Sequence, residues 1–154
     1  MKTRSIGLTL VMLFVGLAMC SAQNPNLGTW KLNEAKSKIP TGSAKNITVT
    51  YEAAGDSIKG TIDGIDGQGK PTHTEWTGKF DGKDYPVTGD PTQDTRAIKQ
   101  VDDHHYALTI KKAGKVTITG KAMIAADGKS RTVTVSGMDS MGMKIEVVSV
   151  YDKQ

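Results

Sequence analysis

His105-Tyr106-Ala107-Leu108-Thr109-Ile110-Lys111-Lys112-Ala113-Gly114-Lys115-Val116-Thr117-Ile118-Thr119-Gly120-Lys121-Ala122 is the stretch that decides the fold. Tyr106, Leu108 and Ile110 fall on alternate positions, and so do Val116, Ile118 and Ala122. A period of two puts one face in a core and the other in water. Antiparallel sheets read this way, whereas buried parallel strands read as unbroken apolar runs. Ala113-Gly114 sits between the halves and supplies the tight turn of a hairpin.

The same grammar extends in both directions. Ile47, Val49 and Tyr51 share one face, with Asn46, Thr48 and Thr50 opposite; Val133 and Val135 repeat the pattern. Strand windows fall at 27–33, 46–53, 57–63, 72–80, 85–88, 95–101, 105–112, 115–125, 130–137 and 144–151. Ala54-Gly55-Asp56, Asp81-Gly82-Lys83 and Asp127-Gly128-Lys129 separate neighbours with turn chemistry, and 66–71 makes a longer loop. Glycines 60, 78 and 120 lie inside strands, where a bulge or sharp bend is expected. No helix-length amphipathic segment is visible; residues 33–37 suit one short turn. Consecutive hairpins without long crossovers favour a meander that closes on itself, since closure removes exposed edges. The expected class is therefore all-β: an antiparallel up-and-down β-barrel of about 8–10 strands.

The start of the chain reads differently. Lys2 and Arg4 precede an apolar run over 6–19, and Cys20-Ser21-Ala22 offers the small residues that a signal peptidase reads. Residues 1–22 are expected to be a signal peptide and 23–154 a single barrel domain, periplasmic or secreted. Cys20 also permits a lipid-anchor reading, which Met19 before it disfavours. Loss of the leader removes the one cysteine, so no disulfide, thiolate metal site or thiol nucleophile is expected. It also lowers the net charge from +4 to +2, because Lys2 and Arg4 leave without an acid. Charges of both signs are interspersed along the rest, with no basic run interleaved with aromatics, so nucleic acid is not expected as a partner. No apolar run after the leader is long enough to span a bilayer as a helix.

Gly28-Thr29-Trp30-Lys31-Leu32 resembles the first strand of the calycins, the superfamily of lipocalins and intracellular lipid-binding proteins. Residues 28–33, 76–87 and 150–153 resemble the start, middle and end of small exported bacterial proteins described as lipocalin-like. The resemblance implies a barrel plugged at one end by Trp30 and open at the other. It also departs from the pattern. The linker after the first strand is too short and polar for the helical lid of lipid-binding proteins. Where those proteins carry Arg-x-Tyr to clamp a fatty-acid carboxylate, this chain reads Ser149-Val150-Tyr151, and no arginine stands on the last strand to cover the tryptophan. A bound ligand is accordingly expected to be neutral, or to keep its charge at the mouth; Arg96 or Lys121 are the substitute cations should an anion bind.

Tyr51, Trp76, Phe80 and Tyr106 are the candidate ligand-binding residues, since flat rings with polar tips suit a cavity and a core alike. Trp30 is the structural plug, and Tyr151 anchors the last strand. Asp102-Asp103-His104-His105 falls at a turn, and adjacent histidines on a strand point to opposite faces, so no metal site is expected. The 63–69 segment lacks the spacing and closing glutamate of a calcium loop. Ser136, Ser140 and Ser149 have no nucleophile-elbow context, and no cofactor loop is present. Met138, Met141 and Met143 crowd one loop, best placed at a barrel mouth. The expectation is a monomeric barrel, not an enzyme, that binds a small, mostly apolar molecule without a cofactor. The alternative is a structural or interaction protein whose barrel is filled by its own side chains. Alternation cannot separate them, because inward residues fill small barrels and line larger ones.

Overall fold

The computed structural model describes residues 24–138 and 142–154. The expected leader, Cys20 included, lies outside the described residues, as do Ser140 and Met141 of the methionine loop. Ten strands follow one another: β1 (Gly28–Leu32), β2 (Lys45–Ala54), β3 (Ser57–Ile65), β4 (Pro71–Gly78), β5 (Tyr85–Thr88), β6 (Thr95–Gln100), β7 (His105–Lys112), β8 (Lys115–Ile124), β9 (Ser130–Met138) and β10 (Lys144–Lys153). Each pairs antiparallel with its chain neighbours, and β1 pairs with β10 to close the barrel. The up-and-down architecture is thus the one that the alternation and the short turns imply.

The two ends are built differently. Turns β2–β3, β4–β5, β6–β7 and β8–β9 gather at one end together with the C-terminus. The segment 24–27 crosses that end. Asn24 Nδ2 donates to Gln100 Oε1 at 3.2 Å, and its Oδ1 accepts from the Tyr106 hydroxyl at 2.9 Å. Trp30 Nε1 donates to the Asn26 carbonyl at 3.0 Å, and Lys153 Nζ donates to the Pro25 carbonyl at 3.1 Å. Trp30 itself has no exposed surface. The opposite end carries the β1–β2 linker, whose regular part is one 3₁₀ turn, Glu34–Lys36, capped by Asn33 Oδ1 on the Lys36 N–H. No helical lid stands over it among the described residues.

Two bulges change which side chains face inward. In β2, Asn46 pairs with Gly64 and Thr48 with Asp63, so Ile47 is the extra residue. The face that alternation gives as Ile47, Val49 and Tyr51 therefore continues at Asn46 instead, and Asn46 reaches the barrel interior. In β8, Ile118 pairs with Ile110 and Val116 with Lys111, leaving Thr117 unpaired. Val116 is consequently turned out and 55% exposed, not inward with Ile118 and Ala122. Neither bulge falls at an in-strand glycine. Gly60, Gly78 and Gly120 hold regular register. They clear space: a Cβ on Gly60 would lie 2.2 Å from Trp76 Nε1, one on Gly78 would lie 2.3 Å from the Tyr85 ring, and one on Gly120 would meet the Thr134 carbonyl at 2.5 Å.

Candidate functional site

A cavity of about 140 Å³ occupies the barrel interior. Its wall is mainly aliphatic, with Val49, Ile62, Ile98, Leu108, Ile110, Ile118, Val133 and Val135 contributed by six strands. Asn26 from the closing segment lies at the end that residues 24–27 cross, and Asn46, turned in by the β2 bulge, lies towards the other.

Of the four candidate ligand-binding residues, Tyr51 and Tyr106 line this cavity. Trp76 and Phe80 stand behind them. Tyr51 meets Trp76 and Phe80 edge-on at centroid distances of 6.1 and 5.7 Å, and Phe80 meets Tyr106 at 5.4 Å. Such edge-to-face pairs stabilise beyond the area they bury. The indole N–H of Trp76 is buried without a partner among the described residues. Tyr151 also lines the cavity, from β10.

The interior holds two arginines. Arg131 is 3% exposed and Arg96 is 6% exposed, and both line the cavity. Arg131 pairs across strands with Tyr151. Its guanidinium carbon stands 5.0 Å from the Trp30 and Tyr151 ring centroids and 5.4 Å from that of Tyr51, while Nη1 donates to Asn26 Oδ1 at 3.0 Å. Three π faces and one amide thus replace part of its hydration. An arginine does cover the tryptophan and does stand beside Tyr151, but it comes from β9, not from the last strand. The premise for a neutral ligand therefore fails.

Arg96 is held differently. Its Nη2 donates to Gln93 Oε1 at 3.1 Å, and Gln93 in turn donates to Asp90. Asp90 accepts a further bond from the Thr92 N–H at 2.8 Å. Burial works against the Asp90 carboxylate, but the hydrogen bonds from Thr92 and Gln93 outweigh it and hold its pKa below the usual range. Burial presses the Arg96 pKa downward, and the nearby charge of Arg131 adds to that; the Tyr51 and Tyr151 phenols and Asp90 oppose it. A guanidinium stays protonated in proteins, so the interior carries real positive charge. Neither arginine has a carboxylate within ion-pair distance among the described residues, and the Nε of each is buried without a partner. Lys121, the other substitute cation, is exposed on β8. The parity of the strands already placed both arginines inward: Arg96 shares a face with Ile98, and Arg131 with Val133 and Val135.

The remaining candidates lie outside this cavity. Asp102 Oδ1 accepts from the His104 and His105 backbone N–H groups at 2.9 and 2.8 Å, which closes a turn. Asp66 Oδ1 accepts from the Gln68 and Lys70 N–H groups and shapes the β3–β4 loop. His73 Nδ1 lies 2.6 Å from Asp63 on the outer wall, and that carboxylate raises the imidazole pKa. No protein-family model matches the sequence, and no curated protein matches it.

Proposed function

We propose that this chain is an exported, monomeric, lipocalin-like binding barrel that takes a small, mostly apolar molecule into its interior. The observation that carries the reading is the aliphatic cavity with a few convergent polar groups. Binding sites for small molecules have this composition. Trp30, buried under an arginine at one end, supports the calycin likeness. The outer wall carries Lys59, Asp63, His73 and Glu75 on adjoining strands, unlike the apolar belt that a membrane barrel presents to lipid. Among the described residues the polar part of the cavity wall is made of arginines, asparagines and tyrosines, which suits a binding site.

The test is a panel of neutral and charged single-ring and short-chain compounds, scored by the shift in thermal unfolding. A ligand at ~100 times its Kd stabilises by ~2.7 kcal/mol, which such a scan resolves. Ala122→Phe, which adds a ring at the cavity wall, should abolish the shift. Absence of any saturable shift, or a shift untouched by Ala122→Phe, would favour the filled barrel.

A further inference from the structure

We propose that the cavity selects a compact carboxylate, a single-ring aromatic or short branched acid, with Arg96 as the residue that binds its anionic group. The inference rests on the barrel-binding reading and gives that site its ligand class.

The two buried arginines have unequal freedom. Arg131 is engaged by three rings and by Asn26, and its surroundings are those of the plug. Among the described residues, Arg96 has no ring over it and one hydrogen bond, to Gln93. It springs from the part of β6 that pairs with Ile110, near the end away from the plug. Arg96 lines the cavity together with the Tyr51 and Tyr151 side chains, and its Nε is buried without a partner among the described residues. A guanidinium edge donates two parallel bonds to a planar carboxylate. Buried charge without an opposite partner is costly, so an entering anion relieves a cost that the empty barrel carries.

Size limits the rest of the ligand. A dry apolar cavity of about 150 Å³ accepts one benzene ring, and this cavity is about 140 Å³. A long acyl chain does not fit that volume. The Asp90–Gln93–Arg96 chain is the positioning element: Gln93 is 6% exposed and presents a neutral oxygen, so it orients the guanidinium without neutralising it.

Calorimetric titration with benzoate, phenylacetate and 3-methylbutanoate, each beside its primary amide, tests the proposal. The acids should bind at least tenfold tighter than the amides. Arg96→Met should erase that preference. Gln93→Glu, which keeps the arginine and sets a carboxylate against it, should erase it too, and this second variant covers the case in which Arg96→Met does not fold. Arg131→Lys should lower stability more than it lowers the acid preference. Acids and amides binding equally, or a preference that survives both Arg96→Met and Gln93→Glu, would overturn the anion assignment and leave the binding barrel intact. Hexadecanoate binding tighter than every short acid would overturn the compact class. Failure of every compound to bind a folded protein would overturn both readings.

Discussion

Trp30 is held by three kinds of contact at once: its indole N–H bonds the Asn26 carbonyl, Arg131 stands over its ring, and Lys153 Nζ lies 5.0 Å from the same centroid. It therefore ties the closing segment 24–27 to β9 and to the end of β10. Trp30→Ala should cost ~3–5 kcal/mol, the usual range for deleting a buried aromatic. The urea midpoint, compared at constant slope, measures it. A midpoint unchanged from the native protein would remove the plug role. Trp30→Phe should fall between the two, since it keeps a ring under Arg131 and loses the bond to Asn26. Gly28-Thr29-Trp30 marks the tryptophan in the sequence, but nothing there marks the cation over it on β9. The reason is physical. Cross-strand pairing puts Arg131 opposite Tyr151, and a residue twenty positions upstream becomes a neighbour only once the β9–β10 register is known.

At the scale of elements, β7 and β8 show what alternation can and cannot carry. Their boundaries, turn and shared face at Ile110 and Ile118 follow from apolar spacing, and the strands form where that spacing puts them. The displacement of Val116 does not follow. One unpaired residue, Thr117, reverses parity beyond it, and nothing in residue type marks a threonine as the bulged position. In-strand glycines mislead in the opposite sense, because the same missing side chain serves a bulge or a close approach. At Gly78 it is the approach: the Tyr85 ring of β5 fills the place where a Cβ would sit. Gly78→Ala should therefore cost ~1–3 kcal/mol, the usual size of an overpacking strain. In a Tyr85→Ala background the same substitution should cost far less, because the obstructing ring is gone. A double-mutant cycle by chemical denaturation reads the coupling directly. Equal costs in the two backgrounds would mean that the glycine serves the backbone of β4 and not the ring.

Closure of the whole barrel was legible from strand count and short connections, but the evenness of its wall was not. β9 and β10 share nine register pairs, whereas β5 makes two with β4 and two with β6. One of the four residues of β5 is Pro86, which has no N–H to give to a ladder. The register is thus shortest at β5, with residues 80–82 adding backbone bonds to the far half of β6. β5 adjoins Arg96, since Tyr85 pairs with it, and the Gln93–Asp90 support that positions its guanidinium. Regions with few paired groups and little buried apolar contact open at a lower free energy than the global unfolding reaction. Backbone amides of β5 and the β5–β6 turn should therefore exchange with deuterium well before those of β9 and β10. The difference should span several orders of magnitude if the long hairpin opens only by global unfolding. Residue-resolved exchange at fixed pH is the measurement. A carboxylate ligand on Arg96 should slow exchange at β5 selectively, because it binds the closed wall and not the opened one. Uniform protection around the barrel would rule out early opening at β5, and ligand-induced protection confined to the plugged end would place the anion on Arg131 instead.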